Sequence, residues 1–153
     1  LGDAGARVAM NYANNPERGE RAFDEFRSAD YEGRLFRASV IDEADVNRLY
    51  RDIAEQLGPV DILVVNATPA QPQLPIEEYS WEFYQSMLDF FVKSPFLLTR
   101  VALAHMKRQK WGRIINIGSE VFQIGRPNFS AYVAAKGAQN SWTRSMSTRA
   151  SWR

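Results

Sequence analysis

Two side chains that could exchange a proton stand four residues apart near the end of the chain. Tyr132 and Lys136 occur in SAYVAAKGAQNSWTR, residues 130–144, which is predicted to be helical. Residues four apart share one face of a helix, so both side chains can reach the same ligand. An ammonium near a phenol stabilises the phenolate, which favours Tyr132 as a general acid or base. The alternative for this pair alone is a half-buried tyrosine beside a solvated lysine.

A third polar side chain, Ser119, ends the apolar run GRIINIGS, residues 112–119, which predicts a buried strand. Open parallel sheets bind ligands at the carboxyl ends of their strands, and a hydroxyl there can hold a carbonyl oxygen. The order strand, loop and helix can therefore bring Ser119, Tyr132 and Lys136 around one small substrate. The alternative for Ser119 alone is a turn residue at a strand end.

The elements that must position these residues alternate along the chain. Four short apolar runs predict strands. They lie at residues 7–10, 34–40, 60–67 and 112–119. Helical patterns fill the intervals between them. This order predicts an α/β fold in which a parallel sheet carries helices on both faces.

Local capping signals mark the first helices. Residues 1–5, LGDAG, predict the last turn of a helix that stops at Gly5. Asn15 is a predicted N-cap with Pro16 at the first helical position, and Asp42 is predicted to open the next helix. These signals place a helix directly after each of the first two strands.

The second half of the chain predicts two further helical segments. A long one covers residues 80–110, and Pro95 is expected to kink or interrupt it because proline lacks an N–H donor. Residues 120–129 are predicted to form a loop. The last helix is predicted to start at Ser130 or its neighbours and to run toward Arg149.

Composition limits the class of protein. The 153 residues, 45% of them hydrophobic, suffice for one domain over residues 1–153. Nineteen basic and eighteen acidic residues are interspersed and leave a net charge of +1, so no nucleic acid partner is expected. With no cysteine and only His105 as histidine, no metal site is expected. No run approaches the roughly 20 apolar residues of a membrane span, so a soluble, cytoplasmic protein is predicted.

Taken together, these residues resemble the short-chain dehydrogenase/reductase family. GARVAMNYANN, from residue 5, is similar to the family's second strand, and DILVVNA, from residue 61, to its fourth strand and the following turn. GRIINIGS followed by YVAAK is similar to the active-site block, in which a serine precedes the tyrosine and lysine at this spacing. The resemblance covers nearly the whole chain and implies a Rossmann-like, doubly wound parallel sheet.

The resemblance implies an oxidoreductase that interconverts a small-molecule carbonyl and an alcohol by hydride transfer with NAD or NADP. Tyr132 would exchange a proton with the substrate oxygen and Ser119 would orient that oxygen. Lys136 would hold the nicotinamide ribose and favour the phenolate of the tyrosine. Asn66 and Ala67 match the turn that borders the cofactor.

Several positions depart from the family pattern, among them Val65 and Thr68 in the turn that borders the cofactor. Ser39 stands where the family often has an aspartate that contacts adenine, and it is carried over as a cofactor-binding residue. No acidic residue follows the strand that ends at Tyr12, where NAD-dependent members often carry one. NADP is therefore favoured over NAD, although no basic residue is obvious near Ala13. Phe91 replaces an asparagine that supports the lysine through water, and phenylalanine cannot form that hydrogen bond.

The sequence has no counterpart of the family's first strand with its glycine-rich phosphate loop, or of its C-terminal strands. Two exposed sheet edges are expected from this, in a fragment that folds poorly or oligomerises. The segments over residues 81–110 and 131–148 are similar to helices that commonly pair between subunits, which implies a homo-oligomer. Two alternatives stay open: a noncatalytic binding or oligomerisation subunit with this fold, and an inactive truncated gene product.

Overall fold

The computed structural model describes residues 1–147, which divide into two compact units. The first unit comprises residues 1–60, and the second begins at Asp61. The predicted continuation of the last helix to Arg149 and the end of the predicted interface helix at residue 148 lie outside the described residues. The single domain expected over residues 1–153 stays a prediction.

A two-stranded parallel sheet forms the framework of the first unit. Its elements are β1 (Val8–Tyr12), α1 (Pro16–Ser28), β2 (Gly33–Arg37) and α2 (Glu43–Gln56). β1 and β2 are joined through α1, the kind of crossover that a parallel pair requires. Before β1, a short 3₁₀ turn, Gly2–Ala4, ends at Gly5 with φ 78°, as the sequence predicts.

Capping side chains fix where the two helices of the first unit begin. Asn15 Oδ1 accepts a hydrogen bond from Arg18 N–H at 2.9 Å, and Asp42 Oδ1 accepts one from Asp45 N–H at 2.8 Å. Both predicted N-caps are confirmed. The core of this unit is a buried apolar cluster with contributions from β2 and α2: Phe36, Ala38, Leu49 and Leu57.

The second unit is also built on a parallel strand pair, with more helix around it. Its elements are β3 (Ile62–Val65), α3 (Trp81–Leu88), α4 (Ser94–Arg108), β4 (Arg113–Asn116), α5 (Val121–Ile124) and α6 (Ser130–Met146). Val65 lies opposite Asn116, so β3 and β4 end at the same level. The segments that follow the two strands are therefore neighbours at one edge of this sheet. The helices pack around a second buried cluster: Met87, Phe91, Ala131 and Ala135.

A π-helical turn, Asp89–Lys93, joins α3 to α4. The Ser94 N–H donates to the Asp89 carbonyl, five residues back instead of the usual four. This wider turn lies directly before Pro95, which has no N–H and would crowd the preceding turn of a regular helix. The predicted disturbance at Pro95 is confirmed, and it takes the form of a local widening of the helix.

The connection between β4 and α6 differs from the prediction. Residues 120–129 are predicted as a loop, but Val121–Ile124 forms one turn of helix, α5. Val121 is buried, α5 packs against α6, and Gly125 ends the turn with φ 63°. So short a helix contains a single buried side chain. It therefore has no hydrophobic periodicity from which a helix could be predicted.

All four predicted strands are present. Each begins and ends within about three residues of its apolar run, which is the usual uncertainty of element boundaries. Among residues 1–147, none of the helices combines the length and the apolar character that crossing a membrane would need.

Candidate active site

A cavity opens at the carboxyl ends of β3 and β4, within the second unit. Asn66, Ala67 and Thr68 line it after β3, and Ile117 and Gly118 line it after β4. The rest of its wall comes mainly from α6 and the π-helical turn. Neither here nor elsewhere in residues 1–147 do three or more potential metal ligands cluster. The cavity lies where parallel sheets of this kind bind organic ligands.

α6 brings two of the predicted catalytic residues into this cavity. Ala131 and Ala135 are buried against Met87 in the helical cluster, and their small side chains let α6 pack closely there. The adjoining face of α6 carries Tyr132 and Lys136, and both line the cavity. The predicted juxtaposition of the two side chains is therefore present.

Lys136 is the buried charge of the cavity. It is 5% exposed, and its Nζ donates to the Ile117 carbonyl at 2.5 Å and to Gln139 Oε1 at 3.0 Å. The same Nζ lies 4.1 Å from the centroid of the Phe91 ring, within the range of a cation–π interaction. A solvated lysine, the alternative for this residue, is thereby excluded.

Burial lowers the pKa of Lys136 from 10.5 to about 8, because removal from water disfavours the charged ammonium. Both hydrogen-bond acceptors are neutral carbonyl oxygens, which stabilise the ammonium without cancelling its charge. Lys136 forms no ion pair with any of the residues that the structure describes. At neutral pH the cavity wall therefore carries one positive charge with no counter-charge bound to it.

Aromatic packing fixes the ring of Tyr132. Phe91 meets it edge to face, with ring centroids 5.3 Å apart, and Phe129 lies 4.9 Å away on a tilted plane. Lys136 Nζ is 5.8 Å from the centroid of the Tyr132 ring. The Tyr132 hydroxyl makes no hydrogen bond to any residue in the range 1–147, so it is available to a ligand in the cavity.

Of the other predicted site residues in the second unit, two line the cavity and one does not. Asn66 and Ala67 line the cavity, as expected for the turn after β3. The wall after β4 reaches Gly118 and stops one residue short of Ser119, whose Oγ accepts a hydrogen bond from Val121 N–H at 3.4 Å. The contact between Ser119 and a substrate stays a prediction.

Ser39 lies in the first unit, between β2 and α2. Its backbone N–H donates to Asp45 Oδ2 at 2.8 Å. This bond, together with the side chain of Arg48, lowers the pKa of Asp45 from its usual value. Ser39 thus has a structural role at the start of α2, and its contact with a cofactor stays a prediction.

Arg37 is a residue that the sequence analysis missed. In the parallel register Tyr12 lies opposite Arg37, and Arg37 Nε donates to the Ala13 carbonyl at 3.3 Å. The expectation that no basic residue stands near Ala13 is therefore wrong. The available signal was the parallel pairing of the two predicted strands. Because parallel neighbours end at the same edge of a sheet, the end of β2 lies beside the residue that follows β1.

Two contacts of Lys136 were also missed. Gln139 is 3% exposed and lies one helical turn beyond Lys136, a spacing that does predict contact. Phe91 was interpreted only as the loss of a hydrogen-bonding residue, whereas its ring face meets the ammonium. No local pattern indicates that contact, because Phe91 is on a distant segment of the chain.

Comparison with known proteins agrees with the resemblance. The model of the short chain dehydrogenase family matches residues 1–151. A 2-dehydro-3-deoxy-D-gluconate 5-dehydrogenase of Formosa agariphila is 29% identical over 148 residues, which are 97% of this chain and 56% of that protein. A 3-oxoacyl-[acyl-carrier-protein] reductase of Staphylococcus aureus is 31% identical over 147 residues, 95% of this chain and 58% of that protein. The chain thus spans little more than half the length of these relatives.

A solved structure shows the same fold. It is a gluconate 5-dehydrogenase from Burkholderia cenocepacia in complex with NADP and tartrate, with a TM-score of 0.84 and 27% identity. The similarity covers 95% of this chain and 56% of that one. The chain belongs to the short-chain dehydrogenase family and has its Rossmann-like α/β fold, so the predicted family and fold class are confirmed.

Proposed function

We propose that this protein is an NAD(P)-dependent oxidoreductase that interconverts a small-molecule carbonyl and an alcohol. The observation that carries the proposal is a pair of groups in one cavity. Among residues 1–147, the hydroxyl of Tyr132 has no hydrogen-bond partner and the buried ammonium of Lys136 has no ion-pair partner. A phenol beside a fixed positive charge is suited to proton exchange with an oxygen that changes between carbonyl and alcohol. The relatives named as dehydrogenases and a reductase support the same class of reaction.

The donors of the cavity fit the nicotinamide and ribose end of a dinucleotide. A lysine ammonium has three N–H groups, and Ile117 and Gln139 accept from two of them, which leaves one for a ribose hydroxyl. Asn66 is exposed in the cavity wall, and a Cβ added to Gly118 would meet nothing within 4 Å. The wall therefore offers polar groups together with open space beside the backbone.

Each residue has a distinct role in the proposed reaction. The bound nicotinamide supplies the hydride chemistry. During reduction the Tyr132 hydroxyl donates its proton to the carbonyl oxygen, and during oxidation the phenolate accepts the proton of the alcohol. The charge of Lys136 stabilises that phenolate, and Ser119 is the proposed group that orients the substrate oxygen.

The preferred cofactor in this proposal is NADP. Arg37 is exposed beside Ala13, at the carboxyl ends of β1 and β2. A guanidinium there is suited to bind the 2′-phosphate that distinguishes NADP from NAD. The Burkholderia cenocepacia relative, whose structure contains NADP, also supports this choice.

The proposal includes a homo-oligomer formed through residues 81–110 and 131–148. Trp81 and Phe96, both in the first of these segments, are exposed large apolar side chains. Such side chains favour burial against another copy of the chain. Analytical ultracentrifugation of the protein checks this part directly, because a monomer across the micromolar range would contradict it.

Fluorescence titration with NADPH and NADH, followed by hydride-transfer assays, tests the proposed function. Both the chain and any longer product of its gene are titrated, and Lys107→Met provides a control at a lysine outside the cavity. We expect saturable binding of NADPH, tighter than that of NADH, and turnover with a hydroxy acid such as gluconate or with a 3-oxoacyl ester. Binding by neither form would overturn the enzyme assignment in favour of a noncatalytic subunit.

A further inference from the structure

The environment of Lys136 is unusual for a buried lysine. Lysine is rarely buried without a carboxylate partner, yet the described residues that line this cavity include no carboxylate. Tyr132 is the only other titratable group among them. The ammonium is held instead by an ammonium seat, defined here as the Ile117 carbonyl, Gln139 Oε1 and the ring face of Phe91.

We propose that Gln139 and Phe91 are positioning residues that hold Lys136 in its charged form at the cavity wall while leaving its charge uncompensated. Gln139 lies on α6 and Phe91 in the π-helical turn, so two separate segments act on one Nζ. The consequence for catalysis rests on the proposed function, whereas the ammonium seat itself does not.

The chemistry of Gln139 fixes its part in the seat. A lysine ammonium has donors only, so the amide must present its oxygen to Nζ. Gln139 Oε1 lies 3.0 Å away, and the residue is 3% exposed, so the bond is shielded from competing water. A glutamate at this position would form a buried ion pair and cancel the field that acts on Tyr132. The neutral amide stabilises the ammonium and preserves that field.

Phe91 supplies attraction from another direction. It is 2% exposed, and its centroid is 4.1 Å from Nζ, close enough for the negative face of the ring to attract the cation. The same ring meets Tyr132 edge to face. Phe91 therefore orders both groups of the proposed reaction centre without adding charge or a hydrogen-bonding group.

The ammonium seat is tested by measuring the pKa of Lys136 directly. The chain has four lysines, so protein labelled with [¹³Cε]lysine gives few NMR resonances, and Lys136→Met identifies the one of interest. Gln139→Met, which has similar length but no oxygen, is expected to lower this pKa by roughly one unit, and Gln139→Glu to raise it by roughly one unit or more. Phe91→Leu is expected to lower it by less than Gln139→Met does.

Gln71→Met is the matched control. Gln71 lines the same cavity, but its Nε2 donates to Thr68 Oγ1, so its replacement should leave the pKa of Lys136 unchanged. If the two Gln139 variants shift the pKa of Lys136 in opposite directions, the ammonium seat is supported. Loss of packing alone would shift that pKa in the same direction in both variants. If Lys136 had the same pKa in the wild type and in Gln139→Glu, the ammonium seat would be overturned. Because glutamate is nearly isosteric with glutamine, this variant gives the answer even if Gln139→Met does not fold.

The NMR result and the proposed function can fail separately. If the protein turns over substrate, the alkaline limb of its pH–rate profile, where the ammonium loses its proton, should move in the same direction as the pKa of Lys136 in each Gln139 variant. If NADPH does not bind, the lysine titration still decides whether Gln139 and Phe91 hold the ammonium. Turnover with an unmoved pKa would reject the seat and leave the oxidoreductase standing.

Discussion

The two units share a plan and differ in what they bury. Each is organised around a parallel pair of strands with helices. The core of the first unit is apolar, whereas every buried polar residue that the structure describes lies in the second: Ser94, Thr99, Lys136 and Gln139. Burying polar groups costs free energy, and the hydroxyls of Ser94 and Thr99 have no hydrogen-bond partner among the described residues. These buried polar groups therefore destabilise the second unit, the unit in which the chemistry is proposed.

The first unit keeps its polar side chains at the ends of its elements. Asn15 and Asp42 cap helices, Asp45 binds the Ser39 N–H, and Arg37 lies exposed beside Ala13. These side chains cap helices, bind the backbone or lie exposed, and none of them is a fully buried charge. Under the proposed function, cofactor choice belongs to the first unit and proton transfer to the second, and that division can be tested from both sides.

The largest expected effect comes from Tyr132→Phe. The variant keeps the ring that packs against Phe91 and Phe129 but removes the hydroxyl. Loss of a general acid or base lowers kcat by about 10²- to 10⁴-fold. Steady-state hydride-transfer assays measure the loss, and NADPH titration should show that binding is retained.

Tyr31→Phe is the matched control in the first unit. The Tyr31 hydroxyl donates to Asp3 Oδ1 at 3.3 Å on an exposed surface, so its removal should leave kcat unchanged. A similar loss of kcat in both variants would break the proposed contrast between the units. It would show that removal of a tyrosine hydroxyl acts through general stability.

The next largest effect concerns stability as a function of pH. The pKa of Lys136 is about 8 in the folded state and 10.5 when unperturbed, so between these values the unfolded chain binds more protons. The free energy of unfolding of the wild type therefore rises with pH over this window, by about 3 kcal/mol from this residue. Lys136→Met lacks the titration. Relative to Lys136→Met, the free energy of unfolding of the wild type should therefore increase by about 3 kcal/mol as the pH rises through this window.

Urea unfolding at a series of pH values measures this difference. Contributions from other titrating groups cancel between the two proteins. The cost of leaving Ile117 and Gln139 without their donor exists only in the variant, but it does not vary with pH and adds a constant offset to the difference. Lys93→Met, at an exposed lysine, should show a difference that does not vary with pH. A constant difference for Lys136→Met as well would mean that its pKa is not lowered.

How much the sequence could predict depended on how local each feature is. The strands, the helix caps and the Tyr132–Lys136 pair follow from short-range patterns, and the structure contains them. The ring contact of Phe91 with Lys136 and the contact of Arg37 with Ala13 join distant segments, so no local pattern reports them. Helical spacing could have indicated Gln139, but its burial depends on packing that periodicity does not resolve.

The smallest expected effect is on cofactor affinity, and it tests the proposed role of Arg37 in the first unit. Arg37→Gln keeps a polar side chain but removes the charge that would meet the 2′-phosphate. A charge-assisted contact of this kind is worth about 1.5 to 3 kcal/mol, so Kd for NADPH should rise by about 10-fold or more. Kd for NADH, which lacks the phosphate, should stay the same, and fluorescence titration with both cofactors measures the two values.

Arg34→Gln separates this effect from a general change in charge. Arg34 is also exposed on β2 but pairs with Ala9 in the register, away from the carboxyl ends of the strands. Its replacement should leave both dissociation constants unchanged. If Arg37→Gln weakens NADPH and NADH equally, the first unit does not select the cofactor through this guanidinium. If the loss is confined to NADPH while kcat at saturation is unchanged, cofactor choice and proton transfer are separable, as the comparison of the two units predicts.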